Sequence, residues 1–442
     1  MSKPPPCIAS RISHILAIMN QRRTCSLVFV ILSSVFISPP NPSTTKATKI
    51  DQLVSRYQQC GYFNGSILVA EHGKVLYERG VGYANIQKQT PNTPQTKFGI
   101  ASISKQFTAA LVLMQVAIGN LRLDATVSEI LPWYRKDTGS RITIEQLLRH
   151  TSGLPPDYDT PEFGDGEAAA RRAEPKTFAQ SLCQPALVSE PGTRWNYSNC
   201  GYILLGLVLE QITGKSFDEI LQSQLLRPLE MNDTGMDNNN LARLGGAVGY
   251  RRRVGPRYVP GPYIDRTHIF AAGSMYSSVE DLYRWNQALT HNNLFSELGK
   301  KIFTPELGEW GYGWFVRRIA AGEPGEGSVI AEMRGDMPGS FFAWILRYPE
   351  QDDVIIVLRN GYGSTENLEQ NLQAILFDRE PHLPRRSPLD IAAQVGSVSL
   401  SRIFTHRFLS SLILILFVFW LAWTIKKRKL SETSRPTRER SS

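Results

Sequence analysis

"FGIASISKQFTAALVLMQVAI", residues 98–118, decides how the rest of the chain is read. Phe107, Ala110, Leu111, Met114 and Ile118 recur at intervals of three and four, the period of a helix with a buried face. Ser102 falls at the head of that helix, and Lys105 lies one turn on along the same face. Backbone N–H groups at a helix start lack intrahelical partners and sit at the positive end of the dipole, which favours a nucleophile there and an oxyanion forming beside it. The spacing S-x-x-K is therefore a candidate nucleophile with its base; the alternative is a capping serine beside a solvated lysine. A second S-x-x-K, Ser43 and Lys46 in "PPNPSTTK", lies in a Pro/Ser/Thr stretch without helical periodicity and is set aside.

The chain has 442 residues, 42% hydrophobic and 10% aromatic, enough for one large domain or two lobes. Its formal charge of +9 sits in two tails. Residues 1–23 carry Lys3, Arg11, Arg22 and Arg23 without an acid, and residues 426–442 are rich in Lys and Arg. The stretch between is close to neutral, which excludes a nucleic-acid partner.

Both tails flank apolar segments. "FLSSLILILFVFWLAWTI", 408–425, carries no charge and is followed at once by Lys426, Lys427, Arg428 and Lys429. That is the length and flank of a transmembrane helix with a cytoplasmic C-terminus. "CSLVFVILSSVFIS", 25–38, follows Arg22 and Arg23 and fits a signal peptide or signal anchor. No small-x-small site follows it, Pro39 and Pro40 oppose cutting, and cleavage stays open, as does Met19 as an alternative start. The expected order is a basic leader and linker at 1–47, a catalytic domain at 48–385, a tether at 386–407, the transmembrane helix at 408–425 and a basic cytoplasmic tail at 426–442. The body then lies outside the cytoplasm, anchored to the cell membrane.

Of five cysteines, Cys7 and Cys25 belong to the leader, leaving Cys60, Cys183 and Cys200. An odd number cannot all pair internally; a Cys183–Cys200 bridge suits an oxidising compartment. No Cys/His spacing matches a zinc site, so neither a metal nor a cofactor is expected. Oligomeric state is open.

Within the body, "IDQLVSRYQQC" reads as a helix, and "GSILVAEHGKVLYERGVGYAN" as two strands turning at His72–Gly73. Helical patterns and loops dominate from 98 to about 300. Strand patterns return in "YGWFVRR", "SFFAWILRY" and "DVIIVLRN", and "STENLEQNLQAILFD" reads as a closing helix. Strands at both ends with helices between predict an α+β fold, the ends meeting in one sheet beside a helical lobe.

A serine nucleophile needs a group to take and return its proton and N–H donors for the oxyanion. "RWNYSNCGYILLGLVLEQITG" offers Tyr197-Ser198-Asn199 just before an apolar helix. The same Y-x-N pattern occurs at Tyr62-Phe63-Asn64 and Tyr83-Ala84-Asn85, beside the first strands, where it reads as structural.

Four blocks, in order, resemble the serine β-lactamase-related family: "FGIASISKQFTAALVLMQVAIGNLRLDATVSEILPWY", "ITIEQLLRHTSGLP", "EPGTRWNYSNCGYILLGLVLEQITGKSF" and "AAGSMYSSVEDLYRWNQAL". That family includes class C β-lactamases, D-alanyl-D-alanine carboxypeptidases, D-amino-acid peptidases and esterases, and the match runs over about residues 48–380. The resemblance implies a β-lactamase/transpeptidase-like fold, an antiparallel sheet flanked by helices. It also implies that Ser102 is acylated, that Lys105 is its partner, that Tyr197 shuttles the proton and that Asn199 binds the substrate. Lysine and tyrosine both ordinarily titrate near 10, so each must be depressed to act as base. Lys105 beside Tyr197 is expected to do this; which takes the first proton is left open. His150 in "LLRHTSGL" matches a family signature and reads as structural, as do Trp195 and Tyr202.

The chain departs from the family at its third motif. Relatives carry K-T-G or H-x-G on a strand edging the site, whereas alignment on "MPGSFF" places Met333-Arg334-Gly335 there. Met333 then stands where a cation or imidazole would. Gly335 is kept, and the backbone N–H of Asp336 is expected to join that of Ser102 in the oxyanion hole. Strand alternation turns Arg334 to the other face. The expected function is a membrane-anchored extracytoplasmic serine hydrolase acting on small-molecule or cell-envelope peptide and ester substrates, D-alanyl or related groups among them. The alternative is a catalytically weak or inactive penicillin-binding-like module that holds a wall fragment or partner. An α/β-hydrolase is excluded by the absence of G-x-S-x-G.

Overall fold

Thr45 caps the first helix, α1 (Lys46–Gln59), by accepting from the Thr48 N–H. Ile50, Leu53, Val54 and Tyr57 make one buried face along it. The computed structural model describes residues 45–157, 167, 170–252, 258–291, 302–305, 307–362 and 367–385. The leader up to residue 44, the tether, the apolar segment 408–425 and the basic tail lie outside them. Among the described residues no helix is long and apolar enough to cross a membrane.

After α1, strands β1 (Gly65–Glu71) and β2 (Lys74–Val81) form a hairpin. Its two turn residues, His72 and Gly73, have φ of +51° and +69°. A two-residue turn with both φ positive has the twist that paired strands need. Helix α2 (Ser104–Ala117) continues a short 3-10 turn over Ala101–Ile103, and helix α3 (Asn199–Thr213) is the other long helix of the lobe near the site. Both are buried around most of their circumference rather than on one stripe, which is what a helix apolar on nearly every side requires.

The chain then returns to the sheet with β3 (Phe315–Arg318), β4 (Val329–Met337), β5 (Phe341–Tyr348) and β6 (Asp353–Arg359), and closes on helix α4 (Leu368–Leu376). Strand order is β3-β4-β5-β6-β1-β2, with every neighbouring pair antiparallel. The two ends of the domain meet where β1 pairs with β6, Gly65 opposite Arg359 and Ala70 opposite Val354. This is the α+β architecture expected from the strand and helix patterns.

Alternation along the strands divides the core. Leu68, Met333, Met337, Ala343, Ile356 and Leu358 pack with the helical lobe. Ile67, Val69, Trp344, Leu346, Ile355 and Val357 pack with α1 and α4 on the opposite face. β1 and β6, in the middle, are buried on both faces nearly throughout. The segment read as helices and loops also holds short strands. Phe98–Gly99, Met275–Ser277 and Gly235–Met236 form a small sheet, and Tyr250–Arg252 pairs with Tyr258–Pro260 and Gly361–Tyr362. Runs of two or three residues are too short to show a period, and distant partners make them strands.

Candidate active site

Ser102 sits in the 3-10 turn that leads into α2. Ala101 just before it holds φ at +45°, a conformation a non-glycine residue keeps only where its surroundings over-determine it. Those surroundings include β4. A Cβ on Gly335 would lie 2.0 Å from the Ile100 carbonyl oxygen and 3.3 Å from Ala101 Cβ. Only glycine lets the strand approach this closely. Pairing of β3 with β4 stops at Glu332, so the β4 edge from Met333 onward borders the site instead of a strand.

Lys105 is fully buried one turn after Ser102. Its Nζ donates to Asn199 Oδ1 and to the Ala272 carbonyl, each at 2.8 Å, and lies 3.1 Å from Ser102 Oγ. The two oxygens can only accept. A neutral amine spends both N–H bonds on them and is left with one lone pair, facing Ser102. Burial pulls the Lys105 pKa down to about 7, against the opposing pull of the Asp157 charge. The geometry and the titration therefore both favour an amine ready to accept a proton near neutral pH.

Tyr197 Oη lies 2.8 Å from Ser102 Oγ, and Lys105 Nζ stands 4.9 Å above the Tyr197 ring. The expectation that this neighbour depresses the phenol is corrected. Burial pushes the Tyr197 pKa up, opposed by its bond to Ser102, and the Asp157 charge adds to the rise. A lysine that is itself neutral supplies no positive charge to hold a phenolate. Tyr197 is thus a phenol that keeps its proton.

His150 packs behind Tyr197, ring centroids 4.5 Å apart, and against Trp310 at the same separation. Its Nδ1 accepts from the Ser198 N–H at 3.1 Å and its carbonyl from the Asn196 N–H at 2.7 Å. Burial holds its pKa well below the usual value, so the imidazole is neutral and shapes the Tyr197 loop. Tyr202 is buried with its hydroxyl on the Leu148 carbonyl. The two other Y-x-N copies meet each other away from the site, Asn64 bonding both backbone groups of Tyr83.

Asn199 opens α3, and next to it Cys200 is joined by a disulfide to Cys183 at the end of the helix Pro175–Leu182. Sequence reading missed two groups here. One is the Ala272 carbonyl, which belongs to the block "AAGSMYSS" but has no signature as a backbone atom. The other is Asp157, whose carboxylate accepts from the N–H groups of Asn199 and Cys200 and from Ser198 Oγ. Asp157 follows two prolines 42 residues before Asn199, and no periodicity or motif marks it.

In front of Ser102 opens a cleft of about 610 Å³. Ile264, Ile269, Phe315, Met333, Met337 and Pro338 give it apolar walls, and Ser102, Tyr197 and Asn199 line its floor. Met333 lies on the lobe-facing side of β4. Arg334 is largely exposed, with Nη2 3.9 Å from Glu332 Oε2, and both residues border the cleft. Asp336 also borders the cleft. Among the described residues no group of three or more His, Cys, Asp or Glu side chains is placed to hold a metal.

Comparison with known proteins places this arrangement. Residues 50–379 match the family model described as Beta-lactamase. The chain is 30% identical over 347 residues to penicillin-binding protein 4* of Bacillus subtilis, covering 73% of this chain and 74% of that one. It is 29% identical over 329 residues to protein flp of Staphylococcus aureus, covering 71% of this chain but only 62% of the relative's length. The octameric penicillin-binding protein homologue from Pyrococcus abyssi superposes with a TM-score of 0.65 at 26% identity, over 79% of this chain and 81% of its own. With the family model spanning the sheet, the lobe and the Ser102 cleft, and a relative 30% identical over 73% of the chain, the chain belongs to the β-lactamase family of serine hydrolases.

Proposed function

We propose that Ser102 is the nucleophile of an acyl-transfer reaction, with Lys105 as its base and Tyr197 as a proton-donating partner. The observation that carries this reading is the hydrogen-bond count at Lys105, two acceptor oxygens and one lone pair toward Ser102. Lys105 takes the Ser102 proton as Oγ attacks the substrate carbonyl carbon, and the oxyanion settles on the N–H groups of Ser102 and Asp336. The C–O or C–N bond then breaks, the leaving group taking a proton from the Tyr197 phenol, and the Lys105 ammonium beside the Tyr197 ring returns to that oxygen the proton it took from Ser102. Water attacks the acyl-enzyme by the same path in reverse, with Lys105 again as base.

The substrate class follows from the third motif. Met333 offers a polarisable apolar surface where relatives carry a cation or imidazole, and Arg334, at the border of the cleft, has its charge beside the Glu332 carboxylate. A substrate carboxylate facing Met333 loses water without gaining an ion pair. The cleft therefore suits esters and amides without that carboxylate, such as D-alanyl esters of the cell envelope and short acyl esters. The charge-free segment 408–425 with its basic flank supports a membrane anchor that holds the domain outside the cytoplasm. Protease added to intact cells should then digest the domain.

The test is to treat the purified full chain with a fluorophosphonate and, separately, a fluorescent penicillin, and to map the label by mass. Fluorophosphonate on Ser102, lost in Ser102→Ala, supports the reading. Label elsewhere, or full ester hydrolysis by Ser102→Ala, overturns it.

A further inference from the structure

Asp157 is nearly fully buried, and every partner it shows at the head of α3 is a donor. Oδ1 accepts from the Asn199 N–H at 2.8 Å and from Asn199 Nδ2 at 3.2 Å, while Oδ2 accepts from the Cys200 N–H at 2.7 Å and Ser198 Oγ at 2.8 Å. A carboxylate at the first turn of a fifteen-residue helix also meets the positive end of its dipole. The bond from Asn199 Nδ2 settles how the Asn199 amide is turned. With its NH₂ drawn to Asp157, its oxygen faces Lys105.

We propose that Asp157 is a positioning residue of this site, acting on Lys105 through Asn199. It keeps an acceptor, never a donor, against the Lys105 amine, and so reserves the amine's lone pair for Ser102. The proposal rests on the reading of Ser102 and Lys105 given above. If the amide were reversed, Asn199 Nδ2 would donate to the amine's lone pair and the base would be spent. The titratable groups around Lys105 are Asp157, His150, Tyr197 and Tyr202. Asp157 is the carboxyl among them; burial pushes its pKa up, opposed by the donors at the helix head and by Lys105, and as an anion it sets how readily Lys105 holds a proton.

The test uses the full chain, with Asp157→Asn and the exchanged pair Asp157→Asn with Asn199→Asp. In the single variant an NH₂ replaces one acceptor oxygen, which frees the Asn199 amide to turn and removes the anion. We expect kcat for a neutral ester to fall on the order of tenfold to a hundredfold with KM little changed, the scale of an impaired proton transfer. The acid limb of kcat/KM should move to lower pH. The exchanged pair restores an oxygen facing Lys105 and keeps a carboxylate at the helix head, so kcat should rise above that of the single variant, short of wild type because Asn199 also lines the cleft, while the acid limb moves above that of the wild type. A helix cap alone would lower the melting temperature and the titratable active fraction without moving the limb. The proposal is overturned if the single variant keeps the wild-type kcat and limb. It is also overturned if the exchanged pair is folded yet no faster than the single variant; where the single variant does not fold, a folded exchanged pair with an unmoved limb overturns it. Failure of the fluorophosphonate to label Ser102 in the wild type would instead refute the underlying reading of the nucleophile.

Discussion

Replacing Lys105 by methionine should abolish turnover and, at neutral pH, stabilise the protein relative to its alkaline behaviour. In the fold Lys105 titrates at about 7 instead of the usual 10.5, because burial disfavours its charged form. The unfolded chain therefore binds the extra proton between those two values, and folding must give it up. Below about pH 7 the cost is at its full size; it shrinks as pH rises and vanishes above about 10.5. At about 1.4 kcal/mol per tenfold change in proton affinity, the cost is about 4 kcal/mol at pH 7 and about 1 kcal/mol at pH 10. Methionine has a similar length and carries no proton, so it escapes this cost. It also strands Asn199 Oδ1 and the Ala272 carbonyl, but that loss does not vary with pH and cancels in the comparison. The stability difference between Lys105→Met and wild type should thus change by about 3 kcal/mol in favour of wild type from pH 7 to pH 10. Urea unfolding of both proteins at the two pH values measures it. A difference that stays constant with pH would mean that Lys105 is charged in the fold, and the amine-base argument would fail.

Three further outcomes follow from the same geometry. Because Lys105 must be an amine to accept the Ser102 proton, kcat/KM for a neutral ester should be low in acid and rise through an apparent pKa of about 7, checked by a pH–rate profile. Met333→His should raise kcat/KM for a penicillin relative to a neutral ester by roughly tenfold to a hundredfold, the worth of one hydrogen bond to a charged group, and efficient penicillin turnover by the wild type would contradict this account of β4. In Gly335→Ala the new Cβ starts 2.0 Å from the Ile100 carbonyl oxygen, so the strand or the Ser102 turn must retreat; a displacement of about 1 Å costs on the order of 10² in kcat, read by steady-state kinetics.

Features set by neighbours in the chain were legible in the sequence. The period of Ile50, Leu53, Val54 and Tyr57 marked α1, and His72–Gly73 marked the first hairpin. S-x-x-K at the head of an apolar run and Y-x-N ahead of another picked out four side chains that the fold brings within hydrogen-bond reach. β4 was different. Glu332, Arg334, Asp336 and Gly335 give it a poor strand composition, and only the family resemblance located it. The upward push on Tyr197 was invisible for another reason: it comes from burial by His150 and Trp310, which lie far off in the chain. Asp157 left no signal because its meaning depends on the head of a helix that begins 42 residues later.

The pairing of β1 with β6 also governs the order in which the molecule can be completed. About 290 residues separate Gly65 from Arg359, and synthesis at about 5–20 residues per second delivers the second strand roughly 15 to 60 seconds after the first. Until then the hairpin presents Ile67 and Val69 on one face and Leu68 and Ala70 on the other, with one edge unpaired. Such an edge is a template for pairing with other chains. The nascent domain therefore carries this open edge until its last strands emerge, and a chain truncated before Asp353 has no strand to close it.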